Sequence, residues 1–173
     1  QTCALPICLF FENIYYMNRE VVHLMFISAD VQYLEVDESW RERFAREFGE
    51  KAARHLHFAD GFTISAIYQK NIIGYISTYW SHLPFPLANT LEAYIDILEV
   101  TSPFRRHGVA SKLVALTIQR AVNQQVYQVR AWSSEDKSEI LPMWKKLGFG
   151  LCPAVKYHQD QEIHGFYVTK ILG

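Results

Sequence analysis

The sequence predicts a single domain of mixed α/β class, and three observations carry that expectation. Apolar and β-branched runs of strand length alternate with stretches of helical period. Gly, Pro and polar residues fall between those segments as turn signals. No internal repeat, linker or low-complexity tract divides the 173 residues, half of which are hydrophobic. A chain of that length buries a substantial core as one domain.

The elements follow in order. Val21–Ile27, dense in apolar and β-branched residues, reads as the first strand. From Asp37 a helix begins, with Trp40, Phe44 and Phe48 at spacings of four on one face. Gly49 punctuates it, and residues 50–58 read as a second helix. Residues 62–68 and 72–80 form two strands joined by a hairpin turn at Gln69-Lys70-Asn71. Pro84 and Pro86 make 81–90 a loop, and 91–100 is the next strand. Residues 108–123 form a helix with Val109, Leu113 and Leu116 on one face, and 126–132 a short buried strand. Ile140, Met143, Trp144 and Leu147 mark another helix, ending at Gly148, with Pro142 in its first turn. Strands near 149–157 and 164–171 close the chain around the turn 158–161.

Composition excludes several classes. Seventeen Lys and Arg against 18 Asp and Glu leave a formal charge of −1, too little for a nucleic-acid binder driven by phosphate contacts. With 20% charged and 14% aromatic residues, the chain is not of disordered composition. No apolar run approaches the roughly 20 residues of a membrane span. Cys3, Cys8 and Cys152 form neither a disulfide framework nor a zinc pattern, and the histidines have no metal-ligand spacing with Cys152.

The opening Gln-Thr-Cys-Ala-Leu-Pro-Ile resembles a translated sequencing adapter of the kind found at the ends of metagenomic fragments. Residues 1–7 are therefore set aside, and 8–16 read as upstream sequence before a start at Met17. The rival reading, a signal-peptide core at 5–11, lacks a positive flank and a small-residue cleavage site. A start at Met17 leaves 157 residues, 17 acids against 17 bases, one cysteine, and the expectation of a reduced cytoplasmic protein.

Chemistry concentrates between Ala93 and Asn123, where a strand, the loop Thr101-Ser102-Pro103-Phe104-Arg105-Arg106-His107-Gly108 and an amphipathic helix follow one another. Small residues at Gly108 and Ala110 allow close backbone approach. The helix N-terminus offers unpaired N–H groups and positive dipole, and Arg105, Arg106 and His107 add charge. A diphosphate is the natural guest, and a basic turn capping a helix is the plainer alternative.

Arg105-x-x-Gly108-x-Ala110, five residues after Val100, resembles the acyl-CoA pyrophosphate loop of the GNAT superfamily of N-acetyltransferases. Met143-Trp144-Lys145-Lys146-Leu147-Gly148-Phe149 is similar to that family's closing helix and its Leu-Gly-Phe terminus, and the element order agrees from about Val21 to Leu172. The resemblance implies the acyl-CoA N-acyltransferase fold, with a mostly antiparallel twisted sheet of six to seven strands and helices on both faces. It implies transfer of an acetyl or other acyl group from acetyl-CoA, as co-substrate and without a metal, to an amine of a small molecule or peptide. A non-catalytic acyl-CoA-binding domain is the alternative. Neither nucleic acid nor membrane is an expected partner, and a monomer or a sheet-edge homodimer is expected.

The same resemblance places pantetheine in a gap between the strands at 93–100 and 126–132, beside backbone groups of Leu98 and Val100. The pyrophosphate then lies on the N–H groups of Arg106, His107, Gly108, Val109 and Ala110, with Ser111 adjacent. In polyamine-type members a catalytic glutamate stands four residues before the position of Val100. Asp96 occupies it here, as base or amine-positioning carboxylate, with Glu99 and Glu92 as backups and an ordinary ion pair as the competing role. Strand alternation puts Glu92, Tyr94, Asp96 and Leu98 on one face and Ile95, Ile97 and Glu99 on the other. The family's usual acid, a Tyr five residues before the Phe of Leu-Gly-Phe, is replaced by Trp144, whose indole is no proton donor at neutral pH. Trp144 either packs in the core or walls the pantetheine channel. The family's Asn at the start of that helix is not evident, and Ser133 and Ser134 stand in the preceding loop. Tyr79, Trp80 and Phe85, with Tyr94, are the expected acceptor wall, and a proline-stiffened surface loop with a tucked aromatic is the alternative for 79–86.

Overall fold

The computed structural model describes residues 30–158 and 161–172. The strand expected at 21–27 and the upstream segment lie outside them. The first described strand, β1 (Gln32–Val36), was not anticipated. It is a largely exposed sheet edge, so it carries no apolar run to announce it. A 3-10 turn capped by the Asp37 side chain leads into α1 (Arg41–Phe48) and α2 (Glu50–Arg54). Then come β2 (Gly61–Tyr68), β3 (Asn71–His82), β4 (Leu91–Val100), α3 (Val109–Asn123), β5 (Gln128–Ser134), α4 (Leu141–Lys146), β6 (Gly150–His158) and β7 (Gln161–Ile171).

The seven strands form one sheet in the order β1-β2-β3-β4-β5-β7-β6. Only β4 and β5 run parallel, and α3 supplies the crossover that parallel neighbours require. The β2–β3 hairpin turns on Gln69 and Lys70, both at positive φ (48° and 68°), with Tyr68 paired to Asn71. Asn71 therefore opens the strand rather than filling the turn.

Each face of the sheet has its own core. On one, α3 presents Val109, Leu113, Val114, Thr117 and Ala121, and the cluster continues through Ile76, Ala93, Ile95, Val129 and Ala131 to Trp144 and Phe149. On the other, Phe44 of α1 meets Tyr75 edge-on, 4.9 Å between centroids, with Ala52, Leu56 and Ile97 around them. α4 is closed off by Gly148, two residues past its end, whose φ of 80° lets the Phe149 N–H return to the Trp144 carbonyl at 3.0 Å. That closure is the physical content of the Leu-Gly-Phe sequence.

Two irregularities shape the functional region. The second helix stops at Arg54, four residues short of expectation, because Arg41 takes the Ala53 and Leu56 carbonyls (2.5 and 3.2 Å) and holds residues 53–56 as a turn. In β4 the register jumps: Ile95 pairs with Thr78 and Ile97 with Ser77, leaving Asp96 as the extra residue of a bulge. The bulge corrects the expected face assignment. Leu98 packs with Ile95 and Val100 on the α3 side, whereas Ile97 joins the α1 side. Glu99 turns to that side as well, its Oε2 accepting from Tyr75 Oη at 3.1 Å. Glu99 and Asp96 thus share a face that simple alternation had divided.

Candidate active site

The β4–β5 ladder runs only from Glu92↔Gln128 to Ile95↔Ala131. Beyond it β4 stays with β3 as far as Val100, while β5 stays with β7 as far as Ser134. The two strands part there, opening a wedge whose edges carry strand N–H and C=O groups. Leu98 and Val100 lie along one edge, and Ser133 and Ser134 along the other.

A loop built chiefly by backbone geometry follows the β4 edge. Thr101 is tied to the Ile73 carbonyl through both its N–H (2.9 Å) and its hydroxyl (3.1 Å). Arg105 Nε donates to the Val100 carbonyl at 2.9 Å, folding the loop back on the strand. Arg106 and Gly108 take positive φ values of 68° and 84°, and Gly108 becomes the N-cap of α3 with no side-chain cap. A Cβ at Gly108 would meet nothing within 4 Å, so conformation rather than space makes glycine the suitable residue. The N–H groups of Val109, Ala110 and Ser111 precede the first helical bond, from Lys112 to Gly108 (3.0 Å). With Arg105 and Arg106 exposed beside them, they form a donor surface suited to an anion.

The second half of the site is assembled from side chains. Asp96 Oδ2 accepts from His55 Nδ1 at 2.8 Å and from His57 Nε2 at 3.1 Å. His57 Nδ1 lies 3.0 Å from Asp60, and the His57 backbone is pinned by Ser77 Oγ (2.8 Å) and Thr63 Oγ1 (3.2 Å). Burial raises the Asp96 pKa, but hydrogen bonds from His57 and His55 outweigh it and hold the carboxyl below its ordinary 3.8. The bond to Asp96 raises the His57 pKa above its ordinary 6.5, against burial and with help from Asp60. Among the described residues none bonds Asp96 Oδ1, which is left to take an ammonium or a water.

An aromatic row continues from this cluster. The His57 ring lies 4.8 Å from Tyr79, and Tyr79 lies 5.2 Å from Tyr94. Burial raises the pKa of both phenols, so both remain protonated at neutral pH. Arg130 lies over the Tyr94 and Tyr167 rings (5.3 and 5.1 Å) and bonds Glu92, which also accepts from Gln128 at 2.7 Å. Glu92, 1% exposed, is thereby a paired structural carboxylate.

Other expected site residues fall elsewhere. Trp80 alternates to the opposite face and packs against Phe62 at 5.2 Å, so it does not join Tyr79 in a wall. Phe85, 90% exposed, sits on the outer part of the 83–90 loop. Trp144 is 3% exposed, edge-on to Phe149 at 4.8 Å, and its Nε1 has no hydrogen-bond partner among the described residues. Of its two expected roles, this placement is that of core packing. Ser134 ends β5 and precedes a 3-10 stretch that its side chain does not cap. His107 Nδ1 bonds the Arg105 carbonyl at 2.8 Å. No group able to hold a metal ion occurs among the described residues, and no described helix is long and apolar enough to cross a membrane. Sequence reading missed His55, His57, Asp60 and Arg130, because the first three come from the turn after α2 and the last from the separate strand β5. The only local trace is the alternation His55-x-His57.

An open, mixed seven-stranded sheet parted beside a helix N-terminus defines the acyl-CoA N-acyltransferase fold. The chain belongs to the GNAT acetyltransferase family, whose model matches residues 28–149. No curated protein matches the chain. Among solved structures it is similar to Arabidopsis thaliana NAA60 in complex with a bisubstrate analogue, at 13% identity, 82% of this chain, 97% of that one and a TM-score of 0.66. Arabidopsis thaliana Naa50 in complex with the bisubstrate analogue CoA-Ac-MVNAL gives 18%, 82%, 98% and 0.66. An IAA acetyltransferase from Bacillus cereus gives 14%, 82%, 99% and 0.60. At these identities the likeness is one of fold.

Proposed function

We propose that the protein is an acetyl-CoA-dependent N-acetyltransferase acting on a primary amine by direct attack. The observation that carries this reading is the position of Asp96, at the residue where β4 leaves β5. A thioester carbonyl lying in the wedge would meet an amine held at Asp96 Oδ1. Support also comes from the Naa50 neighbour, which holds an analogue joining CoA to a peptide.

In this reading the N–H groups at 108–111 and the two arginines bind the CoA diphosphate, and the strand edges at Leu98 and Val100 orient the pantetheine amides. Asp96 positions the amine, and its proton leaves through the Asp96–His55 pair. The nitrogen lone pair then forms the C–N bond, and the C–S bond breaks. The proton lost by nitrogen is the one that the departing thiolate needs, so one relay serves both steps. Trp144 takes no part in it. His57, flanked by two carboxylates that favour its charged form, orients Asp96.

The buried Trp144, standing where the family commonly has a tyrosine, motivates the second reading: a domain that binds acyl-CoA without turning it over. Following free CoA while the protein is offered acetyl-CoA and a broad amine panel separates the two. The enzyme reading expects amine-dependent thiol release. Tight acetyl-CoA binding with no release above the water background across the panel would leave the binding domain.

A further inference from the structure

α1 and α2 cover only part of their face of the sheet. Past Tyr94 that face is formed by Arg130 and Trp132 of β5, Lys156 of β6 and Tyr167 of β7. Lys156 lies over the rings of Trp132 and Tyr167, at 4.6 and 5.2 Å, and its Nζ donates to Tyr94 Oη at 3.4 Å. Among the described residues no carboxylate pairs with it. Arg130, the neighbouring cation, is already committed to Glu92 at 2.5 Å. Burial first, and then repulsion from Arg130, lower the Lys156 pKa, against the attraction of Asp96 across the face. A half-buried cation with no carboxylate in direct contact is unfavourable, and an incoming anion relieves it.

The opposite pole is near. Asp96 stands two residues beyond Tyr94 on the same face, roughly 6.5 Å along the strand, with Oδ1 open. Tyr94 thus stands between a site for an ammonium and a site for an anion, which lie close enough for Asp96 to act on the charge of Lys156.

We infer that the acceptor is an amine bearing its own carboxylate, an amino-acid-like zwitterion, with its amine at Asp96 and its carboxylate at Lys156. This deepens the acetyltransferase reading and rests on it for the role of Asp96. A peptide amino terminus, which carries an amide where the amino acid carries a carboxylate, does not satisfy Lys156.

The test pairs amino acids, β-alanine included, with their methyl esters and amides. Binding is measured by calorimetry on the full chain saturated with CoA, and turnover by CoA release. At least one free acid is expected to bind about tenfold or more tightly than its own ester and amide, the margin of a charge-assisted contact. In Lys156→Met that margin is expected to fall to about twofold or less, because only the charge-assisted contact distinguishes acid from ester. Lys156→Arg, which keeps the cation over the rings, is expected to retain most of it. Both variants are checked for folding by thermal melting, and the wild-type acid-to-ester ratio stands without either. If no acid outbinds its ester, or if the margin survives in a folded Lys156→Met protein, the inference is overturned. Amide or peptide amines turning over as well as free acids would overturn it while leaving the acetyltransferase reading intact. Lys156-dependent acid binding without thiol release would keep the amino-acid-like ligand but overturn its role as acceptor, and with it the enzyme reading.

Discussion

In the proposed function, the loop at 101–111 and the face around Asp96 solve two recognition problems by different means. The loop works through backbone: two positive-φ residues, an uncapped helix end and one arginine folded onto a strand carbonyl. The face works through side chains delivered by the turn after α2 and by strands β3, β4, β5 and β6. A backbone site depends on conformation, and most side-chain changes pass it by. A side-chain site depends on every partner and on the pH that charges it.

The largest effect expected from that contrast is in the loop. Gly108→Glu with Arg105→Ala forces a β-carbon onto φ 84° and sets a carboxylate where the proposed function puts the diphosphate. CoA binding by calorimetry should disappear while the thermal melt persists. Retained affinity would refute the loop's role.

Next is the core that supports the wedge. Trp144→Ala should cost about 3–5 kcal/mol of stability in urea unfolding, the usual range for emptying a buried tryptophan site. A cost under about 1 kcal/mol, the size of a surface substitution, would show that Trp144 borders open space rather than core.

The smallest effect is electrostatic and lies in the face. The pKa of His57 is raised in the folded state, so its contribution to stability is complete below 6.5 and is lost as pH rises through the higher folded value. The pKa of Asp96 is lowered, so its contribution is complete above 3.8 and is lost as pH falls through the lower folded value. Both are fully present between those limits. His57→Gln should flatten the alkaline decline of the urea midpoint between pH 6 and 9. An unchanged slope would place that titration elsewhere.

The same contrast explains what could be read from the sequence. The loop is contiguous, so Arg105, Gly108 and Ala110 could be recognised together, as could Leu147-Gly148-Phe149, whose glycine makes the helix-ending turn. Asp96 was singled out by its offset from Val100, and the structure puts two histidines on it. Its partners were not, since His55 belonged to a stretch read as helix until Arg41 is seen to cut it short. A one-residue bulge at Asp96 likewise leaves no mark in composition, yet it moves Glu99 and Leu98 to opposite faces from those expected. Edge strand β1 escaped because its exposed side chains carry little apolar pattern.

The division of labour between the two regions is tested most directly by Asp96→Asn. CoA affinity and amine-dependent CoA release are measured on the same preparation. Affinity is expected to stay within about twofold of the wild type, because no loop contact changes. Turnover is expected to fall by about 10²–10⁴, the usual contribution of a positioned proton acceptor. Turnover equal to the wild type, or a fall in affinity that accounts for all the lost rate, would contradict the assignment.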